Sequence, residues 1–299
     1  MIESLTADTI YAVPLMLEEE GLAETVCRKL DLPRKEPDLA EWQAMVERIR
    51  GAEGTVRIAL VGKYVQLHDA YLSIEEAIHH AAAALGVKAE ILWIDSETVT
   101  EENVSGILAD CDGILVPGGF GSRGIEGMIT AARFARETGI PYFGICLGMQ
   151  IAVIEFARHV LGLADANSTE FDENTAHPVI DLMPDQQHIT DKGGTMRLGA
   201  WPCVLGEGSL AEEAYGTDSI SERHRHRYEF ANAYREAFEE GGMRLSGQSP
   251  DGRLVEIVEK NGGAWYLGVQ FHPEFKSRPN RPHPLFAAFV RAVRERSLK

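Results

Sequence analysis

Long hydrophobic runs are missing from this sequence. No stretch of about 18 apolar residues is available to span a bilayer, and the first thirty residues lack the charged, apolar and small-residue order of a signal peptide. Basic charge is scarce too: 29 Lys and Arg stand against 46 Asp and Glu, for a formal net charge of −17. Such an acidic balance favours solubility and disfavours nucleic acid and anionic membrane surfaces as partners. There are four cysteines, Cys27, Cys111, Cys146 and Cys203, with no CxxC spacing. That excludes a disulfide framework and a thiolate zinc site, and it suits a reducing, cytoplasmic compartment. Repeats and low-complexity tracts are absent, and no Gly-rich loop ends in the Lys-Ser/Thr pair of a phosphate-binding P-loop.

What is present is a strand–helix alternation. Residues 55–61 read as a strand, and a helix follows over 71–85 with Ile74, Ala77, Ile78, Ala81 and Leu85 on one face. Strands over 87–94 and 114–116, a helix over 124–138, and a strand running into Cys146 with a helix to about Leu161 complete the first half. This order predicts an α/β fold with a central, mostly parallel sheet flanked by helices, its functional loops at the carboxyl ends of the strands. From Pro178 onward the pattern is β-rich, with strands expected over 178–183, 195–204, 228–231, 244–247, 254–259 and 264–271, before a last helix that begins at Pro284. Ahead of all this lie two short helices (7–20 and 21–30), a linker with Pro33 and Pro37, and a helix over 38–50 with Asp38 as its N-cap. The expected division is 1–52 as an appendage and 53–299 as the main domain, a length that accommodates one ample core.

The densest chemical signal is IPYFGICLGMQ, residues 140–150. A short apolar strand ends at Cys146, an apolar helix begins at once, and Gly144 and Gly148 flank the cysteine at the spacing of a nucleophile elbow. Cysteines after strands are ordinarily inert core residues. Here the helix start sets unpaired N–H groups beside the sulfur and presents the Leu147 amide to an oxyanion. A base and its orienting carboxylate are also at hand: the strand-like run WYLGVQF leads into His272, Pro273 stops the strand, and Glu274 lies two residues on, in reach of the second imidazole nitrogen. Cys27, Cys111 and Cys203 have no such setting. Residues 112–124, DGILVPGGFGSRG, form a strand and a loop with four glycines. Its spacing is not that of GxGxxG, and the reading adopted is an oxyanion donor from Gly119.

GICLGMQ, PGGF and FHPEF together resemble the class I (triad) glutamine amidotransferase family, whose members hydrolyse glutamine through a cysteinyl thioester and deliver ammonia to a partner site. PGGFGSRGIEGM, TMRLGAWP, RHRHRYEF and FKSRPNRPHPLF narrow the resemblance to glutaminase domains of the CTP synthase type. The resemblance implies a triad of Cys146, His272 and Glu274, oxyanion donors at Gly119 and Leu147, and glutamine contacts from Gly119, Leu147, Gly148, Met149, Gln150, Glu170 and Arg227. Of the charged pair, Glu170 suits the α-ammonium and Arg227 the α-carboxylate. It implies no cofactor for glutamine hydrolysis, ATP and Mg²⁺ for a synthetase domain, and GTP as an activator near Phe120. Residues 1–52 resemble the tail of the synthetase domain and its linker, so the sequence is expected to be a fragment carrying the glutaminase half. A free-standing γ-glutamyl hydrolase fits the triad but not the accessory blocks, and a non-catalytic module does not fit the intact Cys-His-Glu set. No metal is expected: His224 and His226 are two candidate ligands without a third acid or thiol.

Overall fold

The computed structural model describes residues 2–3, 6–183 and 196–299. The N-terminal segment forms α1 (Val13–Glu19), α2 (Leu22–Leu30) and α3 (Ala40–Arg50). Leu39, not Asp38, is the N-cap of α3, although Asp38 Oδ1 still accepts from the Ala40 amide at 3.2 Å. Ala12, Met45 and Val46 bury a small cluster there, with Tyr11 and Trp42 packed against it. Tyr11 fastens this segment to the rest: its hydroxyl donates to Glu76 and shares a hydrogen bond with His80 Nε2 at 2.9 Å.

A parallel α/β half follows: β1 (Thr55–Gly62), α4 (Leu72–Ala84), β2 (Lys88–Asp95), α5 (Val104–Ile107), β3 (Gly113–Val116), α6 (Ile125–Thr138), β4 (Tyr142–Ile145) and α7 (Leu147–His159). The second half holds β5 (Ala166–Ser168), β6 (His177–Leu182), β7 (Arg197–Leu205), α8 (Leu210–Tyr215), β8 (Ser219–His226), β9 (Tyr228–Phe230), α9 (Arg235–Glu240), β10 (Met243–Gln248), β11 (Val255–Lys260), β12 (Tyr266–Val269) and α10 (Pro284–Ser297). Among the described residues, nine strands form one sheet in the order β2-β1-β3-β4-β12-β11-β10-β7-β8, and β5, β6 and β9 form a second.

The large sheet is mixed rather than mostly parallel. Pairing is parallel from β2 through β1, β3 and β4 to β12, and antiparallel from β12 through β11, β10 and β7 to β8. The parallel part lies where strands alternate with helices, and hairpin-like returns of the β-rich half set the other pairs. Two further differences come from short or alternating segments. β5 is only three residues long. β8 was not expected as a strand buried on one face, yet its residues alternate strictly between exposed and buried. The strand expected from residue 195 begins at Arg197, and Thr195 lies outside the described residues.

The central strands are buried on both faces, as β3 and β4 show at every position. One face carries α6 and α7 and the other α4 and α10, each over its own apolar cluster. In α7 every residue from Leu147 to Ala157 is buried, including Glu155. That carboxylate takes a forked ion pair from Arg136 of α6, with Arg136 Nε at 2.9 Å and Nη2 at 2.8 Å. Among the described residues, no helix is long and apolar enough to cross a membrane.

Breaking a buried pair strands a charge, whereas an exposed pair is screened by water. Glu155→Ala should therefore cost about 3–5 kcal/mol. Glu126→Ala removes an exposed partner of Arg158, 2.8 Å away, and should cost less than about 1 kcal/mol. Urea denaturation of both variants checks the contrast, and equal losses would contradict it.

Candidate active site

Cys146 sits where β4 gives way to α7, with φ 53° and ψ −102°. For a residue with a Cβ this positive φ is strained, and the surroundings enforce it. A Cβ on Gly148 would fall 2.0 Å from the Val116 carbonyl oxygen, and one on Gly144 would fall 2.5 Å from the backbone of Gly148. The first turn of α7 therefore lies directly on the sheet. The Cys146 amide donates to Val269 at 2.7 Å, and its carbonyl accepts from Met149 and Gln150. The side chain is thus held at the positive end of the helix, facing the carboxyl ends of β3, β4 and β12.

The end of β12 brings the histidine to the same place. Val269 is in register with Ile145, and three residues later His272 is fixed through its amide to the Arg223 carbonyl at 2.7 Å. Its Nδ1 lies 2.7 Å from Glu274 Oε1. The other ring nitrogen, Nε2, is buried and makes no hydrogen bond. Burial alone disfavours the imidazolium. The charges of Cys146 and Glu274, with the hydrogen bond to Glu274, outweigh that and raise the His272 pKa to about 10. A sulfur, an imidazole and a carboxylate so arranged can attack a carbonyl carbon and return a proton to the leaving group.

The glycine loop closes over Cys146. Gly118 packs so tightly that a Cβ there would lie 3.0 Å from His272 Cε1, and one on Gly119 would lie 3.1 Å from Leu147 Cδ2. Lys63, buried beneath the loop, donates to the carbonyl oxygens of Phe120, at 3.0 Å, and of Gly121. Its pKa falls to about 8, chiefly through burial, with Arg123 adding to the effect and Glu170 opposing it. Glu170 Oε1 accepts from the Gly121 amide at 2.9 Å. The Phe120–Gly121 peptide is thereby gripped from both sides.

Two cavities meet at the sulfur. One, of about 270 Å³, is lined by Gly119, Cys146, Gln150, Glu170, Arg227 and Tyr228 among others. The second, of about 250 Å³, has Cys146, Gly118, His272, Glu274, Phe275 and Tyr64 on its wall. Phe120, Gly119 and Arg225 border both. The structure thus gathers Cys146, His272, Glu274, Gly119, Phe120, Gln150, Glu170 and Arg227. The side chains of Leu147 and Met149 turn into the core instead, and Gly148 faces the Val116 carbonyl.

Several residues here went unread in the sequence. Thr169, Glu173 and Tyr228 line the first cavity, Arg225 lies over the Phe120 ring at 5.6 Å, and Lys63 acts from 57 residues away. The period-two alternation of RHRHR was the available signal for β8. It places Glu222, His224 and His226 inside and Arg223 and Arg225 outside. The third acid that the histidines lacked is Glu256, which forms a buried group with His224 and His226. Arg197 already supplies the cation there, 2.6 Å from Glu256 Oε1. Burial depresses both imidazoles, His226 to about 3.

Residues 66–292 match the family model described as glutamine amidotransferase class-I. The chain is 58% identical over 292 residues to a CTP synthase of Geobacillus kaustophilus, covering 98% of this chain and 55% of the relative. A CTP synthase of Pelotomaculum thermopropionicum is 59% identical over 295 residues, again with 55% of its length covered. The chain therefore spans about half the length of these curated relatives. Among solved structures, the Trypanosoma brucei CTPS glutaminase domain with bound acivicin is similar at a TM-score of 0.75 and 42% identity, over 80% of this chain and 94% of that one.

The raised pKa of His272 has a definite sign. Relative to the unfolded chain, the stability it contributes is complete below pH 6.5 and is lost as the pH rises through about 10. NMR titration should show His272 as imidazolium through pH 8, with a lower midpoint in Glu274→Gln. A neutral ring at pH 8 in the parent chain would contradict this.

Proposed function

This chain belongs to the class I glutamine amidotransferase family, and on that premise we propose that it hydrolyses L-glutamine through a Cys146 thioester as the ammonia-supplying half of a CTP synthase. The observation that carries this reading is the strained elbow of Cys146, placed between two cavities with the His272–Glu274 pair beside it.

The chemistry then runs as follows. The Cys146 sulfur adds to the side-chain carbonyl carbon of glutamine, and the amides of Gly119 and Leu147 receive the developing oxyanion. His272 gives its proton to the amide nitrogen, the C–N bond breaks, and ammonia leaves. Water, deprotonated by His272, then adds to the thioester, and breaking the C–S bond releases glutamate and the free sulfur. Glu274 orients the imidazole. In the first cavity Glu170 takes the α-ammonium and Arg227 the α-carboxylate, and Gln150 touches the substrate from one helical turn beyond Cys146. No cofactor enters these steps.

The larger reading is ATP- and Mg²⁺-dependent amination of UTP to CTP, with the ammonia consumed in a synthetase domain and GTP activating through the loop at Phe120. Residues 1–52 are taken as the C-terminal remnant of that domain with the interdomain linker, and 53–299 as the glutaminase. Its setting is the cytoplasm, with neither nucleic acid nor a membrane as partner.

Cys146→Ala should abolish both glutamine hydrolysis and labelling by an electrophilic glutamine analogue. His272→Ala should lower turnover by about 10³-fold or more. Labelling found by mass spectrometry at Cys27, Cys111 or Cys203 instead would sink the assignment. The 299-residue sequence contains no P-loop. The chain alone, given UTP, Mg-ATP and ammonium, should therefore form no CTP. CTP appearing in step with ATP consumption would overturn the division of labour proposed.

A further inference from the structure

Behind the sulfur of Cys146 runs a buried chain of amides whose orientation leaves no choice. Gln270 is fully buried, and its Nε2 lies 3.7 Å from Cys146 Sγ. Its Oε1 accepts from Gln150 Nε2 at 3.2 Å. The same Gln150 nitrogen donates to the Tyr228 carbonyl, also at 3.2 Å. An amide nitrogen carries two hydrogens, so both are committed to oxygens, and flipping Gln150 would set its oxygen against two others. With its own oxygen engaged, Gln270 must turn its NH₂ group to the sulfur. The Tyr228 carbonyl is held in turn by His226 Nδ1 at 3.0 Å, and His226 Nε2 meets His224 Nδ1 at 3.1 Å beside the Arg197–Glu256 pair. The backbone N–H of Gln270 donates to the Glu256 backbone carbonyl at 2.8 Å, which fixes the residue at the end of β12.

The sulfur thus has two opposed neighbours, the Gln270 donor and the carbonyl oxygen of Arg225 at 3.9 Å. A thiol can give its proton toward that carbonyl, whereas a thiolate is repelled by it and needs a donor. We propose that Gln270 is a catalytic residue that donates a hydrogen bond to the Cys146 thiolate, and that the RHRHRY run of β8 and β9 is the brace that fixes its amide. The proposal rests on the reading of Cys146 as the nucleophile. It gives the histidines of that run a role that requires neither metal binding nor contact with glutamine.

The test is the pH profile of Cys146 alkylation by iodoacetamide, followed by peptide mass spectrometry, in the 299-residue chain and in Gln270→Met and Gln270→Glu. Methionine keeps the length but removes the donor, and glutamate turns an acceptor toward the sulfur. The alkylation midpoint should rise by about one pH unit in Gln270→Met, a tenfold loss of thiolate at fixed pH, and further in Gln270→Glu. The turnover number should fall while KM for glutamine holds. A side-chain amide resonance of Gln270 that shifts with the same midpoint in the unaltered chain makes the test independent of how the variants fold. Unchanged midpoints in folded variants, or a Gln270 amide resonance that ignores the titration, would overturn the proposal. Absence of analogue labelling at Cys146 in the parent chain would instead overturn the nucleophile reading itself.

Discussion

The contact on which this molecule depends is the bare-backbone seam between the first turn of α7 and the sheet. Gly144 and Gly148 meet backbone to backbone, Gly148 also presses on the Val116 carbonyl, and Gly268 sits under Met149, where a Cβ would lie 3.0 Å from its Cα. No side chain fits between these layers. A single residue consequently separates the end of the strand from the start of the helix, and that residue must adopt a positive φ. That residue is Cys146, so the strain at the elbow is a product of packing on both sides of it. The loop of Gly118 and Gly119 closes over the same point because its glycines, too, have no Cβ to hold it off.

Charge is distributed around this seam with the opposite logic to the apolar core. Three buried acids are paired: Glu274 with His272, Glu256 with Arg197, Glu155 with Arg136. The last two pairs join separate elements, 59 and 19 residues apart, and so fix a relative position as well as a charge. Glu222 does the same for the segment after the histidine. It takes hydrogen bonds from Lys276 at 3.0 Å and from Tyr215 at 3.1 Å, and it meets His283, whose Nδ1 caps α10. FKSRPNRPHPLF and the β8 run, two blocks read separately in the sequence, prove to be two sides of one joint.

Much of this was legible because the signals were local. The strand, the two glycines and the helix around Cys146 are contiguous, as are His272, Pro273 and Glu274, and strand–helix alternation gave the parallel half of the sheet. What escaped was non-local. The partner of His224 and His226 is Glu256, on a strand that pairs with β10 and β12 and not with β8. Lys63 reaches the glycine loop from the end of β1, and Gln270 meets Gln150 across 120 residues. The antiparallel pairs of the second half were likewise hidden, since period-two patterns identify strands without saying which neighbour each will take. The histidines of β8 are a further case, because a side chain that ordinarily faces water is here enclosed and its imidazolium form disfavoured by burial.

The in-register pairing of β4 and β12 turns the sheet into a ruler. Ile145 and Val269 stand opposite each other, so the separation between the residues that follow them is set by the spacing of neighbouring strands, roughly 4.8 Å. Loop length does not enter that measurement. The arms that carry Cys146 and His272 need share no continuous stretch of chain: cutting the backbone at the exposed bend of Gly262 and Gly263, and rejoining it elsewhere, would leave their distance intact so long as β12 still found its slot beside β4. Geometry of this kind survives rearrangement of the polypeptide, because it is stored in the hydrogen-bond ladder and not in the order of the sequence.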